Sequence, residues 1–143
     1  MSTATQRRET LSRVEELVRD DPRVEFALLF GSVAREQDGP GSDLDVAVGL
    51  RPGGDEDRLA VKLELAGRLA DLAARVDVVL ADDAPPALAY RIARDGVVAW
   101  ARDRRSVTRF RAAAFSRHPD WERFIAPHAE ALKRRIEEES YGR

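Results

Sequence analysis

The chain has no cysteine among its 143 residues. Disulfides, thiolate zinc sites and cysteine nucleophiles are therefore excluded. It has no excess of charge of either sign: 24 Lys and Arg stand against 26 Asp and Glu, for a formal net charge of −2. No basic surplus advertises a nucleic-acid surface, and direct nucleic-acid binding is not expected. No apolar run approaches membrane-spanning length, and the opening MSTATQRRETLSR has no apolar h-region. A cytoplasmic protein with no membrane partner is the expectation. Lysine is nearly absent as well. Lys62 and Lys133 are the only two, a bias with no chemical consequence.

The rest of the composition is globular. Hydrophobic residues make up 43% and charged residues 35%, and the length suits one domain with a core of its own. Leu11, Val14, Leu17 and Val18 share a helical face, which predicts a helix over 5–19, ended by Asp20-Asp21-Pro22. Glu25–Phe30 reads as a buried strand, and Val33–Glu36 as one helical turn. Residues 37–42 are a loop. Residues 43–49 alternate, with Leu44, Val46 and Val48 on one face and Asp43, Asp45 and Ala47 on the other. After RPGGDED, a stripe of Leu59, Leu63, Ala66, Leu69 and Leu72 or Ala73 predicts the core face of a second helix. Val76–Leu80 is a third strand. Pro85 and Pro86 open a helix that Gly96 ends, and Val97–Ala101 is a fourth strand. Helices are predicted over 104–117 and 119–139. The second carries a stripe of Trp121, Phe124, Ile125, His128, Leu132 and Ile136 that suits packing on the domain or, favoured for its length beyond the compact core, a partner or dimer contact. Strands and helices thus come first, over 1–102, and a helical tail follows over 103–143.

The chemistry concentrates in FGSVAREQDGPGSDLDVAV, residues 30–48. Two residues along a strand put Asp43 and Asp45 on one face, about 7 Å apart at Cα. Carboxylates that close repel and resist burial, so they need a cation, a shared proton or water. Magnesium suits all-oxygen ligands, and two such ions can clamp the attacking and leaving oxygens of a phosphoryl transfer. Asp77, on a strand of the same face logic, is the candidate third acid. The Gly31-Ser32 turn is the complement: glycine lets backbone approach phosphate, and the N–H groups and hydroxyl that follow can hold its oxygens. Each feature has a plainer reading alone. Asp-x-Asp can be a turn exit, Asp77 an edge-strand surface residue, Ser32 a helix cap. Their joint spacing argues against that.

Gly31-Ser32, ten residues, Asp43-Leu44-Asp45 and then Asp77 in RVDVVLAD resemble the nucleotidyltransferase signature of the DNA polymerase β superfamily. Phe30–Arg35 also resembles that family's FGSxAR. The resemblance covers about residues 10–102, and the small size is similar to the minimal nucleotidyltransferase (MNT) branch. It implies an α/β (α+β) nucleotidyltransferase fold, a mixed four-stranded sheet flanked by helices. It also implies bound Mg²⁺, two ions in the family pattern, and ATP as donor. Gly31 and Ser32 would hold the triphosphate, Asp43 and Asp45 the metals, and Asp77 would complete the metal site and help activate the acceptor. Arg35 could touch a phosphate or pair with Glu36 or Asp38. MNT proteins are often antitoxins that transfer AMP to a tyrosine of a HEPN ribonuclease toxin, so a HEPN toxin in a hetero-oligomer is the implied partner. Two rivals are an antitoxin that acts by binding alone, and a small-molecule (aminoglycoside-type) nucleotidyltransferase, for which the tail is short. Arg111 and His118 have the spacing of a HEPN ribonuclease pair, but Asp120 stands where that family's tyrosine would follow, and His118-Pro119 looks like a helix break.

Overall fold

The computed structural model describes residues 3–31, 43–54, 57–118 and 129–141. Helix α1 (Thr3–Val18) leads into β1 (Val24–Phe30), β2 (Leu44–Leu50), α2 (Arg58–Leu69), β3 (Val76–Leu80), α3 (Pro86–Asp95), β4 (Val97–Ala101), α4 (Arg104–Ser116) and α5 (Ala129–Tyr141). The strands form one mixed sheet in the order β3-β2-β1-β4. β1 is antiparallel to both β2 and β4, while β2 and β3 run parallel. A parallel pair needs a crossover, and α2 supplies it. The expected mixed four-stranded sheet flanked by helices is what forms. The turn expected at Val33–Glu36, the loop 37–42 and most of the 119–139 stripe lie outside the described residues.

Two apolar layers cover the sheet. On one face, Leu11, Val14 and Val18 of α1 and Val61, Leu65 and Leu69 of α2 pack on Ala27, Leu29, Val46, Val48 and Val78. On the other, Ile92 of α3 and Val107, Phe110 and Phe115 of α4 pack on Phe26, Leu28, Phe30 and Ala47. β1 is therefore buried on both sides, which is why VEFALLF is nearly continuous in apolar residues. The first tail helix, α4, belongs to this second layer: Phe110 meets Phe26 with ring centroids 5.7 Å apart.

Local chemistry sets the element ends. Asp57 caps α2, its Oδ1 accepting from the Leu59 N–H at 3.0 Å, and Asp103 caps α4 by accepting from the Arg105 N–H at 2.9 Å. Pro86 sits in the first turn of α3, where a missing N–H costs nothing. One expectation is overturned. Leu59 and Leu63 are each 62% exposed, while Val61, Leu65 and Leu69 are buried. Both sets recur every four residues, so periodicity alone does not choose between them. The height and angle at which α2 crosses the sheet chooses.

Arg111 and His118 have structural surroundings. Arg111 is 4% exposed; it donates from Nε to the Ala93 carbonyl at 3.2 Å and from Nη2 to the Gly96 carbonyl at 2.6 Å. These are carbonyls at the C-terminal end of α3, where a cation is favoured. His118 follows the end of α4 and stacks on Tyr90, with centroids 3.9 Å apart.

Candidate active site

The site end of the sheet is where β1 stops and β2, β3 and β4 begin. The chain leaves β1 at Gly31, whose φ of +77° favours glycine. That is half of the reason for glycine here. A Cβ built on Gly31 would overlap the Oδ2 atom of Asp45. The turn and the acid are thus one packing unit: Asp45 lies where a side chain at residue 31 would lie. Cross-strand register agrees, since Phe30 is the partner of Asp45.

Asp45 is the second residue of β2 and half-buried; Asp77 is the second residue of β3 and exposed. The two are direct partners in the parallel register, as are Leu44 with Val76 and Val46 with Val78. In-register neighbours on adjacent strands point to the same face, with backbones about 4.8 Å apart. Leu44, Val46 and Val78 pack into the α1–α2 layer. Asp45 and Asp77 therefore face the other side, with Ala47, near the sheet edge. Asp43 immediately precedes β2 and is exposed. Ser32 and Arg35 lie outside the described residues.

The donor set fits a hard divalent cation. It is all carboxylate oxygen, on two adjacent strands whose spacing lets one ion bridge two side chains after rotation about χ1. Among the described residues, no three His, Cys, Asp or Glu side chains are already gathered as they are around a bound metal. One cation is present in the row. Arg75, two residues before Asp77, sets its Nε 3.7 Å from Asp77 Oδ1. Sequence reasoning passed over Arg75, though its place two residues before Asp77 was the available signal.

Residues 12–105 match the family model described as Polymerase beta, Nucleotidyltransferase. The chain belongs to this nucleotidyltransferase family. No curated protein matches it in sequence. Solved structures carry the same fold. A chain of a toxin–antitoxin structure with AMP-PNP aligns at TM-score 0.63 and 23% identity, over 88% of this chain and 98% of that one. A chain from the complex of MntA and HepT, a toxin–antitoxin pair, aligns at TM-score 0.59 and 22% identity, over 90% and 97%. A third, from tri-AMPylated Shewanella oneidensis HEPN toxin in complex with MNT antitoxin, aligns at TM-score 0.60 and 21% identity, over 91% and 98%. In this nucleotidyltransferase, no helix among the described residues is long and apolar enough to cross a membrane.

Proposed function

We propose that this nucleotidyltransferase acts in the cytoplasm as an antitoxin. It uses Mg²⁺ and ATP to transfer AMP to a hydroxyl, a tyrosine's, on a cognate HEPN ribonuclease toxin with which it forms a hetero-oligomer. The observation that carries the reading is the pairing of Asp45 with Asp77 on one face of the sheet, beside the Gly31 turn. The solved relatives support the class of partner, since one pairs an MNT antitoxin with a HEPN toxin bearing three AMP groups.

Asp43, Asp45 and Asp77 would hold the magnesium ions. Gly31 and Ser32 would hold the triphosphate, and Arg35 would touch a phosphate. Bound magnesium supplies charge neutralisation at the α-phosphate. Asp77, the most exposed face of the acid pair, stands nearest to solvent and assists removal of the acceptor's proton; a phenol of pKa about 10 needs that help at neutral pH. The acceptor oxygen bonds to the α-phosphorus, the α–β bridging bond breaks, and pyrophosphate carries the charge away.

The test is the intact mass of a genomically adjacent HEPN protein after incubation with this protein, Mg²⁺ and ATP. Asp43→Asn/Asp45→Asn protein serves as the control. A gain of one or more AMP units, absent in the control, is expected. An unchanged mass within a stable complex would overturn AMP transfer to that partner and leave inhibition by binding alone.

A further inference from the structure

Asp45, Asp77 and Arg75 lie together at the site end of β2 and β3. Asp45 pairs with Asp77 in the parallel register. The Leu44 N–H donates to the Arg75 carbonyl at 2.8 Å, which places Arg75 at the site end of the Leu44–Val76 pair. Arg75 immediately precedes β3, and its Nε lies 3.7 Å from Asp77 Oδ1, with side chains 70% and 48% exposed. At that distance the contact is electrostatic attraction, not a hydrogen bond. An exposed pair of this kind adds almost nothing to stability. Its effect falls on what else approaches Asp77.

We propose that Arg75 is a positioning residue that couples metal loading to nucleotide loading. This rests on the metal-dependent reading above. With no ligand bound, the guanidinium attends the Asp77 carboxylate. A bare divalent cation held by Asp45 and Asp77 would meet the like charge of the neighbouring guanidinium, and its affinity would fall. A triphosphate reverses the sign, because its negative charge is attracted by the same guanidinium. Arg75 therefore disfavours the ion alone and favours ion and triphosphate together. Charges of +2 and +1 at about 7 Å, in a water-like dielectric with moderate salt, change affinity by about threefold to tenfold.

The experiment measures Mn²⁺ binding by the electron paramagnetic resonance of the free ion. It uses Mn²⁺ alone and Mn²⁺ with a non-hydrolysable ATP analogue, on the whole chain. Arg75→Gln is expected to bind Mn²⁺ alone about threefold to tenfold more tightly, and the analogue with Mn²⁺ more weakly by a similar factor. Arg75→Lys should return both values towards wild type. Thermal midpoints of the three proteins check that all are folded. Opposite signs in the two titrations are what a merely structural arginine cannot produce. If wild type binds Mn²⁺ and Arg75→Gln leaves both affinities unchanged, or moves both the same way, the coupling role is overturned while the metal site stands. If wild type binds no more Mn²⁺ than Asp43→Asn/Asp45→Asn, the metal site and the coupling role fall together.

Discussion

Gly31→Ala and Gly53→Ala form a matched pair. Both glycines have left-handed backbone, with φ of +77° and +80°. A Cβ on Gly53 would meet nothing within 4 Å, whereas one on Gly31 would overlap the Asp45 carboxylate. Alanine at such a φ costs about 1–2 kcal/mol, offset by about 0.4–1 kcal/mol from a stiffer unfolded chain. Gly53→Ala should therefore lower stability by about 1 kcal/mol. Gly31→Ala adds the displacement of Asp45 from its rotamer or the backbone from its path, about 1–2 kcal/mol more. In a chain this size that excess is about 3–8 °C in thermal midpoint. Removing the obstruction should remove the excess. From the Gly31 Cβ position, Asp45 Cγ lies at 3.3 Å and Asp45 Cβ at an ordinary 3.6 Å. In an Asp45→Ala background, Gly31→Ala should thus cost no more than Gly53→Ala. Calorimetric or fluorescence melts of the five proteins read this, and Mn²⁺ titration reads the displaced carboxylate: Gly31→Ala should weaken binding, Gly53→Ala should not. Equal midpoint losses for the two single variants, or an excess that survives in the Asp45→Ala background, would refute the claim that the turn glycine makes room for the acid.

Two further outcomes follow from the core and from the opposite end of the sheet. Gly49 lies under Phe26, and a Cβ there would enter the Phe26 ring; Gly49→Ala should destabilise by about 1–3 kcal/mol in urea melts, with partial recovery on Phe26→Leu. Asp21 is buried at the start of β1 and accepts from Arg23 Nη2 at 2.7 Å and from Arg68 Nη1 at 3.1 Å. The Arg23 hydrogen bond, aided by Arg68 and opposed by burial, holds its carboxyl well below the usual carboxylate range. In the unfolded chain it titrates near 3.9, so the unfolded state binds the proton first. Stability from Asp21 is thus fully present above about pH 5 and is lost as pH falls through 4 and below. Asp21→Asn should cost about 1–3 kcal/mol at pH 7 and flatten the acid limb of a stability-against-pH profile; an unaltered acid limb would contradict the assignment.

Much of this molecule is legible in its sequence because its signals are local. Val76–Leu80 follows Arg75, Val97–Ala101 stands between Gly96 and Arg102, both are rich in valine, and both strands form over those residues. Pro86 opens α3 for a reason of backbone chemistry that needs no neighbours, and the helix stops just before Gly96. The alternation of residues 43–49 already separates Asp43 and Asp45 from Leu44, Val46 and Val48. The family signature needed nothing beyond spacing.

Other features arise only when distant segments meet. Leu59 and Leu63 recur as regularly as Val61, Leu65 and Leu69, and which set is buried depends on how α2 lies across the sheet. That β2 and β3 are parallel neighbours, with Asp45 beside Asp77, is a matter of strand order and register. Alternation says which face a residue takes, never which residue stands next to it. Gly31 reads from sequence as a turn that admits phosphate. Only the paired strands bring Asp45 into the space that a side chain at residue 31 would fill. Periodicity and turn chemistry act over a few residues, and so the elements can be read along the chain. The site is made by contacts between residues 14 to 32 positions apart, and folding alone sets them side by side.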